Sequence, residues 1–155
     1  MVATAHLVVG AGVVALIRRK IRGFGIFRQI ILVLILGIAS HLVLDAISHE
    51  EYPKIVEDYL VVFVLVETVI VLLLVLSRRN AWRLNSLIFL GMGGAAIPDL
   101  IKFGGRAINC QWMSGLGDLI HVFHARSDSS YEVSFELQII IPFIVAMYLF
   151  KHIPE

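Results

Sequence analysis

The chain has 155 residues, 59% of them hydrophobic and 16% charged, with a mean hydropathy of +0.89, one Cys and a formal net charge of +1. A water-soluble domain averages about 45–50% apolar and about 25% charged residues, so the composition excludes an ordinary soluble globule, a disordered chain, a disulfide scaffold and a collagen-like fibre. The near-neutral balance excludes the basic footprint of a nucleic-acid binder, and one all-α integral membrane domain remains.

Crossing a hydrocarbon core of ~30 Å takes about 20 apolar residues in a helix. The first apolar run, residues 2–17, is followed by its basic cluster and not preceded by one. That order is the reverse of a secretory signal, and the run is expected to be an uncleaved first span. Residues 29–48, 59–77, 82–101 and 133–150 supply four more. The expected fold is a helical membrane bundle of about five transmembrane helices. Its long connection, residues 102–132, is rich in Gly and carries a short interfacial helix around Asp118, His121 and His124.

Lys and Arg concentrate on cytoplasmic loops. Arg18, Arg19, Lys20, Arg22 and Arg28 lie between spans one and two, Arg78, Arg79 and Arg83 between spans three and four, and Lys151 after span five. These are nine of the 13 basic residues, accompanied on that side by one acid, Glu155. The bias predicts a multi-pass protein of the cell (inner) membrane with its N-terminus outside and its C-terminus cytoplasmic.

Ionisable residues within a span are costly and mark candidate functional sites. The second span carries His41, Asp45 and His49 at i, i+4 and i+8, which lie along one face of a continuous helix. His6 belongs to the outer end of the first span, with the small Gly10 one turn on. Asp99 follows Pro98 at the outer end of the fourth span, where a proline opens the helix and releases a carbonyl. The connection adds Asp118, His121 and His124, and Glu136 opens the fifth span. Five of the six His residues and most of the acids thus fall in or beside the outer leaflet. Such a His and carboxylate set suits zinc, manganese or iron.

Each element also has a plainer reading. A His near a helix end can be an interfacial polar residue, and His41 with Asp45 can be a hydrogen-bonded couple joining two helices. Glu67, near the middle of the third span, lies too deep for the main cluster and needs a buried partner. Cys110 is the lone Cys and reads as a small free thiol.

At TAHLVVG, SHLVLDAISHEEY and GAAIPDL the chain resembles the membrane-bound metal-dependent hydrolases of bacteria and archaea, which carry a T-H start, an S-H-L-L-L-D element and an L-P-D element. The resemblance covers about a quarter of the chain and implies His6, His41, Asp45 and Asp99 as metal ligands. The order of the last two elements is reversed relative to the best-known branch, so the likeness is to the wider group. A second, local stretch, GLGDLIHVFHA, is similar to zinc-dependent phospholipase C, with Asp118 and His124 at matching places and Ser114 where that family has His.

The leading expectation is therefore a hydrolase of the outer leaflet, acting on a lipid-linked ester or phosphoester through metal-activated water. Its ligands are His6, His41, Asp45, Asp99, His121 and His124. Asp118 or Glu136 takes the proton from water, and Arg106 and Arg126 bind a phosphoryl substrate. The alternatives are a module that binds, transports or senses a metal ion, and a structural membrane protein with interfacial His residues.

Overall fold

The computed structural model describes residues 3–47, 49, 59–77, 82–120 and 132–152. Among them are six helices in chain order: α1 (Ala3–Ile21), α2 (Ile26–Asp45), α3 (Leu60–Leu76), α4 (Trp82–Ala107), α5 (Gln111–Ile120) and α6 (Phe135–His152). No strand accompanies them among the described residues, only an isolated bridge between His49 and Val133.

Two helices are long and apolar enough to cross a membrane: Ile26–Asp45 and, within α4, Asn85–Ala107. Neither is a buried core helix, since 28% and 39% of their apolar windows are covered by the rest of the chain. Among the described residues the expected count of five is not reached. The apolar stretches Val62–Leu76 and Phe135–Tyr148 are shorter than a full span, and α1 ends in Arg18, Arg19 and Lys20. Large apolar side chains nevertheless cover the outside, among them Phe27, Ile35 and Val43 of α2, Val62, Leu65 and Leu73 of α3, and Ile140 and Ile144 of α6.

The interior is organised around α1 and α4. Helix α1 touches α2, α3, α4 and α6, and α4 also meets α2 and α5. The core joins Leu7, Val8, Ala11 and Val14 of α1 to Val33 of α2, Val71 and Val75 of α3, and Leu87, Ile88 and Met92 of α4. Small residues bring the backbones together, as they do where apolar helices cross closely. A β-carbon on Gly91 would stand 2.5 Å from the carbonyl oxygen of Gly10, and one on Gly37 would stand 2.6 Å from that of Gly91. Both contacts require glycine.

Helix α2 buries Gln29, Val33, Gly37, His41 and Asp45. That stripe, at four-residue intervals, faces the bundle. At its lower end the Gln29 amide donates to the carbonyls of Ile21 and Phe24, at 3.0 and 2.7 Å. The side chain thereby ties the start of α2 to the end of α1 and the turn that follows it. At its upper end stand His41 and Asp45.

Helix α4 runs to Ala107, six residues past the expected end at 101. It closes where Asn109 adopts φ 53°, with Cys110 N–H donating to Gly105 O and Asn109 N–H to Arg106 O. This pattern satisfies the last carbonyls through a left-handed residue. Helix α5 starts at once and packs back on α4, its Gly117 against Lys102 and Gly105 against Ser114. The glycines expected in a loop are helical, and two of them, Gly105 and Gly117, permit this close contact. The short helix expected around Asp118 covers Gln111–Ile120, and His121 and His124 lie outside the described residues.

Candidate metal centre

His41 and Asp45 share one face of α2 because one turn separates them, and the crossing of α1 brings His6 to the same point. His41 Nε2 lies 3.0 Å from Asp45 Oδ2, and His6 Nε2 lies 3.4 Å from Asp45 Oδ1. The two imidazoles stack, with centroids 4.1 Å apart and planes inclined by 24°. All three side chains are buried, His41 completely. Asp99 of α4 approaches from the side, its Oδ1 4.0 Å from His41 Nε2 and its side chain 35% exposed. Asp99 is the partly exposed neighbour of an otherwise buried cluster.

The tautomer of His41 follows from its other partner. Its Nδ1 lies 2.8 Å from the carbonyl oxygen of Ala95, and a carbonyl only accepts, so Nδ1 carries hydrogen. In a neutral ring Nε2 is then a lone pair, 3.0 Å from a carboxyl oxygen. Such a contact is repulsive unless a positive centre lies between the two atoms: a second ring proton, a proton on the carboxyl, or a cation. On His6, Nδ1 is buried with no hydrogen-bond partner among the described residues.

His6, His41 and Asp45 each offer one ligand atom, and these lie within 4.8 Å of one another. Two ligands of one tetrahedral ion, with bonds of about 2.1 Å, stand about 3.4 Å apart. The separations of 3.4 Å to Oδ1 and 3.0 Å to Oδ2 are of that order, though to different oxygens of Asp45, and the hydrogen bond from His41 Nδ1 to a carbonyl is what orients a ligating imidazole. The buried triad could hold a metal ion. Two His and one carboxylate suit zinc and iron alike, so the set does not select one metal.

The other expected residues are placed as follows. Asp118 is exposed on α5 and ion-paired with Arg106, Oδ1 to Nη2 at 2.9 Å. Arg106, with Gly105, Asn109, Gln111 and Ser114, lines an open pocket of about 350 Å³. Glu136 is exposed in the first turn of α6. His121, His124 and Arg126 lie outside the described residues. His49 does not continue the face of His41 and Asp45, because α2 ends at Asp45. It is buried instead with its Nδ1 2.6 Å from Ile47 O.

Two further groups stand near the cluster, the first with no side-chain signature in the sequence. One is the carbonyl of Ala95. Pro98 cannot pair with Gly94 O and opens that turn of α4, and the next carbonyl takes the His41 hydrogen bond. The other is Glu67, which is buried and accepts a hydrogen bond from the Thr4 amide at 3.3 Å. It sits beside the first turn of α1, two residues before His6, and not far below the cluster as its place in the span suggested. No family model matches the chain, and no curated protein or solved structure is found to be similar to it.

Proposed function

We propose that the chain is a five-span membrane protein whose buried centre binds a divalent cation such as zinc, manganese or iron and hydrolyses a lipid-linked ester or phosphoester at the outer leaflet. The observation that carries this reading is the approach of His41 Nε2 to Asp45 Oδ2 while Nδ1 is committed to Ala95 O. The apolar exterior of α2, α3 and α6 supports the membrane setting, since lipid covers such surface without cost. The shorter apolar helices can cross where the bilayer thins or flanking polar groups reach the interface.

His6, His41 and Asp45 hold the cation, which supplies Lewis acidity and a water-derived nucleophile at neutral pH. Asp99, the partly exposed carboxylate 4.0 Å from His41 Nε2, completes the ligand set or accepts the proton of the attacking water. Asp118 and Glu136, both on the exposed side, are the other carboxylates available for that proton. Arg106 is seven residues beyond Asp99, about 10.5 Å along α4, where its guanidinium can meet a phosphoryl group and draw it from Asp118. Arg126, His121 and His124 follow in the same connection.

Right-side-out and inside-out vesicles carrying the protein and a fluorescent phosphodiester lipid test this directly. Hydrolysis is expected in right-side-out vesicles, lost with a chelator, restored by zinc or manganese, and absent in His41→Ala. Chelator-insensitive turnover, or wild-type turnover by His41→Ala, would contradict the reading. The burial of Glu67 beside α1 adds one more polar group inside the bundle and gives the ion-transport alternative its footing. Cation flux without lipid turnover in the same vesicles would favour it.

A further inference from the structure

The first four amides of any helix lack an acceptor within it. The first turn of α1 contains no acidic side chain to supply one. Glu67 supplies it from α3: its carboxylate, 5% exposed, receives the Thr4 N–H at 3.3 Å. A carboxylate at this place also meets the positive end of the helix dipole, which accounts for an ionisable group among the apolar residues of α3. Thr4 precedes His6 by two residues, about 3 Å along the helix axis. His6 is the member of the centre that α1 contributes, whereas α2 carries both His41 and Asp45.

We infer that Glu67 is a positioning residue for the centre: by capping α1 it holds the His6 imidazole against Asp45. The affinity part of the test rests on the reading of the centre as a cation site. The His6 geometry does not. Groups that fix a metal ligand typically change affinity by about 10–100-fold when removed.

The experiment uses full-length protein in nanodiscs, labelled with ¹⁵N-histidine and titrated with zinc against a chromophoric chelator. The His6 ring signals are identified by their loss in His6→Ala, and the His41 signals serve as reference. Glu67→Leu and Glu67→Asp, which remove or withdraw the acceptor, are expected to move the His6 signals in metal-free protein and to weaken zinc binding by about 10–100-fold. Glu67→Gln keeps an acceptor oxygen at the same reach and is expected to retain both. In a His6→Ala background Glu67→Leu should cause no further loss of affinity. An equal loss with and without His6, or unmoved His6 signals in the Asp and Leu variants, overturns the inference. Should Glu67→Leu fail to fold, Glu67→Asp carries the test. Should wild-type protein bind no zinc, the cation reading fails, and the metal-free His6 signals still decide the role of Glu67.

Discussion

Asp45 is the residue on which the site turns, because each of its oxygens faces one imidazole. Replacing it with Leu leaves two buried rings facing an apolar side chain, and each orphaned polar group costs about 1–3 kcal/mol. At about 2–4 °C per kcal/mol for a chain of this size, metal-free Asp45→Leu should melt several degrees below wild type in differential scanning fluorimetry. An unchanged melting temperature would mean that the His–Asp contacts hold nothing together. The sequence makes this pair legible because both residues sit on one helix, where spacing alone fixes the face. It misleads at His49, since periodicity does not announce that the helix stops at Asp45. It is silent on the Ala95 carbonyl, a backbone group whose only trace is Pro98.

Between elements, the centre depends on how closely α1, α2 and α4 approach. Gly10 and Gly91 define one crossing, and Gly37 with Gly91 and Gly94 the other. A larger residue at 91 must push α1 off α4 and so withdraw His6 from Asp45. Overpacking of this kind costs about 1–3 kcal/mol. Gly91→Leu should therefore both destabilise the protein and weaken zinc binding, measured by thermal melting and chelator competition. Gly93, two residues away, has open space around its α-carbon. Gly93→Ala is expected to leave binding unchanged and stability equal or up to about 1 kcal/mol higher. Equal effects of the two substitutions would refute the packing argument. Helix neighbours are not legible from spacing, which is why the meeting of His6 with Asp45 is a structural finding. The extension of α4 past residue 101 has a similar cause: Gly104 and Gly105 read as loop, yet they lie in α4, and Gly105 is in close contact with α5.

At the scale of the molecule, the small charged fraction is sorted. Nine of 13 basic residues fall on one side of the expected spans, and five of six His on the other. The apolar exterior agrees with a membrane setting, although only two described helices have the full length and apolarity of a span. Membrane class and helical fold are legible because they follow from composition and run length. The count of spans is less so, because hydropathy runs do not show where charge or helix ends shorten the apolar part. Within this frame a cluster of two His and one Asp is buried at the upper end of α2, and its geometry asks for a positive centre. Elemental analysis of protein purified from membranes without added metal tests that most directly. The account predicts about one zinc, manganese or iron per chain in wild type and its loss from both His41→Ala and Asp45→Asn. Metal-free wild-type protein that also binds none on titration, or variants that keep the wild-type content, would contradict it.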